Sequence, residues 1–130
     1  MIRKMKEEDL QQCAVIYAKA FPIEYWGIDW NPDNAKEYLL DYYEQKRFVG
    51  YVYEEDDVVI GCIFALCKIS GSKKEMYINE MAVLPERQVH IHWCKEQLRH
   101  ILIPYYNLIA SSVIAYQYLG PVFQVKLPFR

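Results

Sequence analysis

Glycine is missing from the middle of this sequence. The chain has five glycines, and none of them lies between residues 72 and 119. Turns that need a positive φ, or backbone that closely approaches a ligand, are hard to build without glycine. Any turn in this segment must therefore be made from bulkier residues.

Acidic residues are almost missing from the last third of the chain. Residues 89–130 contain one acid, Glu96, against four Lys and Arg, and they hold all three histidines. Residues 1–88 contain sixteen acids against eleven Lys and Arg. The formal net charge of −2 excludes a strongly basic protein, so nucleic acid is not expected as a partner.

Charge of either sign is missing from Ile101 to Val125. A run of this length raises the question of a membrane span, which needs about 20 apolar residues. Prolines, serines, an asparagine and tyrosines interrupt the run, so we expect a soluble protein with no membrane partner. A chain tethered to a membrane through residues 101–125 is a distant alternative.

Cysteine-pair motifs and a secretion signal are also lacking. The four cysteines, which have no CxxC spacing, are Cys13, Cys62, Cys67 and Cys94. Residues 3–9 are mostly charged where the apolar part of a signal peptide would begin. We therefore expect reduced thiols in a cytoplasmic protein, folded as a single domain over residues 1–130.

The first part of the chain has the periodicity of a strand followed by two helices. Residues 2–5 fit a strand, and a helix begins at Glu7–Asp9, where acids suit the helix dipole, and ends at Pro22. Residues 22–34 are predicted to form a loop. Within it, Asn31 followed by Pro32 is a good start for a second helix that runs to Tyr43.

Strand patterns follow the helices. Residues 48–69 predict a hairpin whose acidic tip is Glu54–Asp57, and "MYINEMAVL" predicts a third strand that ends at Pro85. Two helices followed by three antiparallel strands indicate an α+β domain. Beyond Pro85 the pattern fits helices over residues 94–103 and 111–119 and a last strand at "VFQVKL".

The element order and the segment "INEMAVLPERQ" (residues 78–88) carry a family resemblance. Residues 1–88 resemble the GNAT superfamily of acyl-CoA-dependent N-acetyltransferases. The resemblance implies a central, mostly antiparallel mixed sheet flanked by helices, here with a shortened and atypical C-terminal part. It implies an enzyme that transfers an acetyl group from acetyl-CoA to a primary amine of a small molecule or peptide by direct attack.

The resemblance also implies where acetyl-CoA binds. Backbone groups of Met81, Ala82 and Val83 would pair with the pantetheine arm, in the gap beside a fifth strand that splays away. An N–H there would polarise the thioester carbonyl, as donors in an oxyanion hole do. Arg87 and Gln88 would contact the pyrophosphate, with solvated turn residues as the alternative.

The turn that follows departs from the family pattern Q/R-x-x-G-x-G/A. Gln88 matches, but Ile91 and Trp93 stand where a glycine or a similarly small residue is required. An isoleucine resists positive φ, and the indole would occupy space that the phosphates need. A reading-frame change near codon 89 would explain the lost glycines, the scarce acids and the early end together; ordinary substitution is the other explanation.

A second functional hypothesis follows from this departure. The fold would persist without binding CoA, as an inactive domain that serves binding or oligomerisation. The uncharged tail could then pack against a second copy and form a homodimer, because a sheet without its final strands exposes an edge and apolar surface.

Glu80 is the candidate general base, acting directly or through a water. On an alternating strand it shares a face with Ile78 and Ala82, and such apolar neighbours raise the pKa of a carboxyl. The alternative is a solvated strand glutamate. Tyr116, four residues before Gly120, falls at the GNAT tyrosine that often protonates the leaving thiolate; a packing role is its alternative.

Four residues of the first loop are candidates for the acceptor site. In the family this loop covers the acceptor, and here it offers Tyr25, Trp26, Asp29 and Trp30. Aromatic faces with nearby carboxylates suit a cationic amine, such as an aminoglycoside, a polyamine or a lysine-like group. The alternative is a hydrophobic staple between the two helices.

Two remaining clusters are given ordinary structural roles. His90, His92 and Cys94 would alternate on one face of a strand, but a fourth zinc ligand is not evident, so no metal is expected. The acids Glu54–Asp57 are expected to be a solvated hairpin tip.

Overall fold

The computed structural model describes residues 1–71, 73–90 and 107–110, and side chains within residues 1–69, 71 and 76–87. Two short 3-10 helices span Glu7–Asp9 and Pro85–His90. The helices and strands, in chain order, are β1 Ile2–Lys4, α1 Leu10–Ala20, α2 Ile23–Trp26, α3 Pro32–Tyr43, β2 Phe48–Glu55, β3 Val58–Ser70, β4 Lys73–Val83 and β5 Asn107–Ala110.

The strands form one five-stranded mixed sheet in the order β1-β2-β3-β4-β5. Strands β1 to β4 are antiparallel to their neighbours, and β5 is parallel to β4. The α+β class and the mostly antiparallel mixed sheet are therefore confirmed. The sequence analysis assigned no element to residues 107–110, because a four-residue segment inside a long uncharged stretch is too short to show a periodic pattern.

Local sequence signals set the starts of the helices. Asn31 caps α3: its side chain accepts from the Asn34 amide at 2.9 Å, and the Asn34 side chain accepts from the Asn31 amide at 2.8 Å. Pro32 follows at the first helical position, where its missing N–H costs nothing. The predicted start of the second helix is confirmed.

One short helix lies where only a loop was predicted. Residues Ile23–Trp26 form α2, which Gly27 ends with a φ of 78°, a left-handed conformation that favours glycine. Four residues are too few for a periodic pattern, so the sequence offered no signal beyond the Pro22 and Gly27 that bracket the turn. The prediction of an uninterrupted loop is wrong.

Helices α1 and α3 pack together on one face of the sheet. The core between them and the strands includes Leu10 and Ile16 from α1, Leu39 from α3 and Phe64 from β3, each at most 1% exposed. Burying a side chain of this size contributes about 1.5–3 kcal/mol before opposing terms. This helix-covered face carries the site described below.

The acidic hairpin tip differs from the solvated tetrad that was expected. Asp56 and Asp57 are exposed, but Glu54 bonds to Arg3 at 3.0 Å and Glu55 lies 3.6 Å from Arg87. The first two acids belong to β2 and point back toward basic side chains, whereas only the last two form the turn. The prediction of a solvated tip is therefore wrong for Glu54 and Glu55, whereas Asp56 and Asp57 are exposed as expected.

Several predictions concern residues outside those that the structure describes. These are the helices over 94–103 and 111–119 and the strand at 122–127. Within the described residues, no helix is long and apolar enough to cross a membrane. Most of the uncharged segment 101–125 lies outside that part of the chain.

Candidate active site

A shift in register shapes the middle of β4. Phe64 on β3 pairs with Glu80, and Ala65 pairs with Ile78, so Asn79 is an extra residue between the two pairs. Paired residues project to the same face, and neighbours along a strand alternate. Ile78 therefore projects to the face opposite Glu80, and the prediction that these two side chains share a face is wrong. Bulges of this kind redirect a side chain near functional sites.

Beyond the bulge, the regular alternation continues. Cys62 pairs with Ala82, so Ala82 shares the helix-covered face with Glu80, as predicted. The side chains of Met81 and Val83 project to the other face, where they line an apolar pocket together with Ile2, Tyr53 and Ile63. The pocket lies on the face of the sheet opposite Glu80.

Two tyrosine hydroxyls hold the Glu80 carboxylate, one at each oxygen. Tyr17, near the end of α1, donates to Oε1 at 2.5 Å. Tyr38, in the middle of α3, donates to Oε2 at 3.3 Å, and its hydroxyl lies 3.1 Å from that of Tyr42. Glu80 is half-buried under the two helices and is not the solvated strand glutamate of the alternative reading.

The surroundings of this cluster raise the pKa of Glu80 and of both tyrosines. Burial raises the pKa of Glu80, and the hydrogen bonds from Tyr17 and Tyr38 oppose that shift without cancelling it. Burial also raises the pKa of both tyrosines, and the negative charge of Glu80 adds to it. The tyrosines thus remain hydrogen-bond donors at neutral pH, and the carboxyl is a stronger proton acceptor than an exposed glutamate.

Aromatic rings surround the Tyr17–Glu80–Tyr38 group. Trp30 packs edge-on against Tyr17, with ring centroids 5.2 Å apart, and its centroid lies 5.0 Å from that of Tyr38. The ring centroid of Phe21 lies 4.5 Å from that of Tyr17 and 5.1 Å from that of Trp26, so Phe21 connects the two rings. The loop before α3 is therefore anchored on the rings that hold Glu80.

The four predicted acceptor residues separate into two groups. Trp30 and Trp26 join the aromatic cluster, although Trp26 remains 46% exposed. Tyr25 is 84% exposed, and Asp29 is exposed as well, with its carbonyl accepting from the Asn34 side chain at 3.0 Å. The structure thus brings both tryptophans to the cluster, directly or through Phe21, and leaves Tyr25 and Asp29 at the surface.

The described pairing of β4 with β5 lies on the N-terminal side of the bulge. The described pairs run from Glu75–Asn107 to Ile78–Ala110, whereas β4 continues to Val83. Along its other edge β4 stays paired with β3 through Val83. Glu80 lies two residues beyond the last described β4–β5 pair, next to the backbone of the predicted cofactor residues Met81, Ala82 and Val83.

Arg87 lies in the 3-10 helix after β4. Its backbone N–H donates to the Leu84 carbonyl at 2.8 Å, which fixes the turn, and its guanidinium faces the Glu55 carboxylate. The side chain is 46% exposed. The side chain of Gln88 and the whole of Tyr116 lie outside the described residues, as do residues 91–93 of the divergent turn.

The residues that the sequence analysis missed are Tyr17, Tyr38 and Tyr42. All three lie in the two predicted helices, where the sequence analysis gave them no part in the site. The spacing of Tyr38 and Tyr42, four residues apart on one helix, is a signal that could have placed two hydroxyls side by side. Nothing in the sequence indicates that Tyr38 meets a strand residue 42 positions away.

A metal site is not assembled in the described part of the chain, where no group of three or more His, Cys, Asp and Glu side chains lies together. The histidine and cysteine side chains of the zinc hypothesis, at residues 90, 92 and 94, lie outside that part. Among the described residues, Cys13, Cys62 and Cys67 form no disulfide.

Comparison with solved structures identifies the fold. A structure described as a probable acetyltransferase superposes with a TM-score of 0.68 at 20% identity, covering 100% of this chain and 93% of the other. A GNAT family acetyltransferase of Staphylococcus aureus subsp. aureus USA300_TCH1516 matches with a TM-score of 0.58 at 13% identity, covering 86% and 85%. The chain has a GNAT-like acetyltransferase fold.

Further comparisons add detail to this GNAT-like fold. The aminoglycoside N-acetyltransferase AAC(6')-Iy, solved in complex with CoA, matches with a TM-score of 0.58 at 14% identity, covering 95% of this chain and 84% of the other. No protein-family profile matches the chain. A protein ADP-ribosyltransferase PARP3 of Oryza sativa subsp. japonica is 28% identical over 51 residues, which is 39% of this chain and 6% of that protein.

Proposed function

We propose that this chain is an N-acetyltransferase that transfers an acetyl group from acetyl-CoA to a primary amine of a small molecule or peptide. The observation that carries the proposal is the position of Glu80. A half-buried carboxylate on β4 is held there by hydroxyls from α1 and α3, in a fold whose solved neighbours include acetyltransferases.

Glu80 acts as the general base in this proposal. An amine is protonated at neutral pH and must lose a proton before its lone pair can attack a carbonyl carbon. A carboxylate has about four acceptor positions, and Tyr17 and Tyr38 occupy one on each oxygen. Acceptor capacity therefore remains for an ammonium group or for a water that relays its proton.

The binding of acetyl-CoA is assigned to β4 and to the turn after it. The backbone of Met81, Ala82 and Val83 would hold the pantetheine arm beyond the last β4–β5 pair, and Arg87 with Gln88 would contact the pyrophosphate. The bound thioester supplies the activated acetyl group. Tyr116 is the proposed proton donor to the departing thiolate.

The acceptor is assigned to the aromatic side of Glu80. Trp30 packs against both tyrosines that hold Glu80, and Trp26 extends the same aromatic cluster through Phe21. An ammonium group is attracted to indole faces and to a carboxylate. Tyr25 and Asp29 are exposed and would contact the more distant part of the acceptor. An aminoglycoside, a polyamine or a lysine-like amine fits this description, and the solved neighbour AAC(6')-Iy is an aminoglycoside N-acetyltransferase.

The direct test is acetyl transfer to a panel of such amines, measured as free thiol released from acetyl-CoA. The matched variant is Glu80→Gln, which keeps the size of the side chain and one acceptor oxygen for a tyrosine hydroxyl but cannot accept a proton. We expect kcat/KM to fall by about 10²–10⁴ in this variant. Transfer at the rate of the unsubstituted protein would remove Glu80 from the mechanism.

A second function is favoured by the sequence of the turn. Residues 89–93 have no glycine, and Arg87 is already paired with Glu55. A domain that no longer binds the phosphates would keep the fold and serve binding or self-association. We would then expect a homodimer, which analytical ultracentrifugation detects, and no binding of acetyl-CoA.

Calorimetric titration with two ligands separates these functions. Acetyl-CoA carries the pyrophosphate, whereas acetyl-pantetheine retains only the arm assigned to β4. Tighter binding of acetyl-CoA than of acetyl-pantetheine supports the phosphate contacts at Arg87 and Gln88. Equal binding restricts the site to β4, and no binding of either ligand at millimolar concentration supports the non-catalytic domain.

A further inference from the structure

The hydroxyl of Tyr38 is a link between Glu80 and the surface of α3. It lies 3.3 Å from Glu80 Oε2 and 3.1 Å from the hydroxyl of Tyr42. Both tyrosines are half-buried, and their rings pack edge to face with centroids 5.4 Å apart. The three side chains thus form a continuous line of oxygens that leads away from the sheet.

The proposed reaction produces one proton that must leave this site. An ammonium R–NH₃⁺ and an acetyl thioester give the amide R–NH–CO–CH₃, a thiol and one proton. A C–N bond forms, a C–S bond breaks, and the proton comes from the nitrogen. In the proposed function the bound amine and acetyl-CoA lie against Glu80 and keep bulk water from that side of the carboxyl.

We propose that Tyr38 and Tyr42 carry the proton that Glu80 accepts from the amine to the surface of α3. This inference rests on the proposed function. The protonated Glu80 carboxyl gives its proton to the Tyr38 hydroxyl, which passes its own proton to Tyr42, and Tyr42 passes one to water. At each oxygen one O–H bond breaks as another forms, so neither tyrosine is left charged.

Tyr17 has a different role from this pair. It holds the other carboxylate oxygen at 2.5 Å but is 5% exposed and surrounded by Phe21, Trp30 and Tyr38. Its hydroxyl therefore fixes the orientation of Glu80. The path to solvent runs through α3, where Tyr42 lies one helical turn beyond Tyr38.

The test uses Tyr42→Phe, which removes one hydroxyl and keeps the ring. Tyr43→Phe is the matched control, because Tyr43 is also half-buried on α3 and packs against Phe48 rather than the Glu80 group. We expect kcat of Tyr42→Phe to fall at least about tenfold in dilute buffer, with KM unchanged. A small proton carrier such as imidazole should restore the rate as its concentration rises, and Tyr43→Phe should match the unsubstituted protein throughout.

Three outcomes decide between the inferences. An unchanged kcat in both Tyr42→Phe and Tyr38→Phe, each folded by circular dichroism, overturns the proton path and leaves the proposed function standing. A reduced kcat that no concentration of imidazole restores also overturns it, because a purely structural defect does not respond to a proton carrier. An unsubstituted protein that neither binds nor uses acetyl-CoA overturns the proposed function and the path together.

Discussion

Two opposing effects act on the pKa of Glu80. Burial favours the neutral carboxyl, while the hydroxyls of Tyr17 on α1 and Tyr38 on α3 favour the carboxylate. Burial is the larger, so the folded protein binds a proton at this site more readily than the unfolded chain does. Phe64, its partner on β3, adds no charge. The group therefore couples the stability of the fold to pH.

This coupling predicts a difference between the chain and its Glu80→Gln variant. The stabilising contribution of the neutral carboxyl is complete below the unfolded pKa of about 4.3 and is lost as the pH rises through the raised folded pKa. Glutamine does not titrate, so the variant should gain stability relative to the unsubstituted chain between pH 4 and pH 7. Urea unfolding at both values measures this, with exposed Glu37→Gln as the control; a difference that does not change with pH contradicts it.

Arg87 is the second residue whose local environment matters for function. Its pair with Glu55 is partly exposed, and pairs of this kind contribute about 0.2–1 kcal/mol. A bound pyrophosphate would have to compete with that carboxylate. The acid is therefore expected to weaken the binding of acetyl-CoA.

Replacing Glu55 with Gln should lower the Kd for acetyl-CoA about two- to fivefold, the affinity equivalent of one such ion pair. Asp57→Asn is the control, since it removes the same charge from the same hairpin but at its exposed turn. Isothermal titration calorimetry compares the two variants. If both improve binding equally, the effect is general charge repulsion and the pairing with Arg87 is irrelevant.

At the scale of elements, one ion-pair network joins the first strand, the turn after it and the hairpin. Arg3 on β1 donates to both oxygens of Asp9 at 2.8 and 2.9 Å and to Glu54 on β2 at 3.0 Å. Asp9 is 7% exposed and also accepts from the Lys6 amide at 2.7 Å. The network fixes the start of α1 against the edge of the sheet.

We expect Asp9→Asn to destabilise the fold by about 2–3 kcal/mol, because it removes the charge from a largely buried carboxylate and weakens its charge-assisted bonds to Arg3. The Arg3 guanidinium lowers the pKa of Asp9, so its contribution is present above the unfolded pKa and is lost as the pH falls. The stability lost in Asp9→Asn should therefore be smaller at low pH than at pH 7. Denaturant unfolding at pH 7 and pH 2 tests this, with exposed Glu8→Gln as the neighbouring control.

The β2–β3 turn is strained by its residues. Asp56 and Asp57 adopt φ values of 51° and 62°, the pair of left-handed residues that a type I′ hairpin turn requires. Asparagine and glycine suit these positions better than aspartate does. The double variant Asp56→Asn, Asp57→Gly should stabilise the chain by about 1 kcal/mol, measured by thermal unfolding, and the reversed order Gly–Asn should gain less.

At the scale of the whole molecule, a ligand that binds only the folded state must stabilise all of it. Acetyl-CoA at about 100 times its Kd should add about 2.7 kcal/mol and raise Tm by about 10 °C in a domain of this size. Differential scanning fluorimetry measures the shift. Free CoA is the control for the acetyl group, and a flat Tm up to millimolar acetyl-CoA contradicts the transferase proposal.

Much of the fold was predictable because its signals are local. The Asn31–Pro32 helix start, the end of the first helix before Pro22 and the end of β4 before Pro85 all follow from neighbouring residues. The site was predictable only in part. Glu80 and the loop tryptophans came from the resemblance, whereas the tyrosines around them were not singled out.

The amino-acid sequence by itself determined most of the helices and strands over residues 1–85 and the apolar faces of the helices, since periodicity, caps and turns act over a few residues. Only the tertiary structure decided that Asn79 forms a bulge, that Arg87 pairs with Glu55, and that Tyr17 meets Glu80 from 63 residues away. These contacts depend on the register between strands and on how the helices pack against the sheet. Both are fixed by packing many distant residues at once, which no local pattern records.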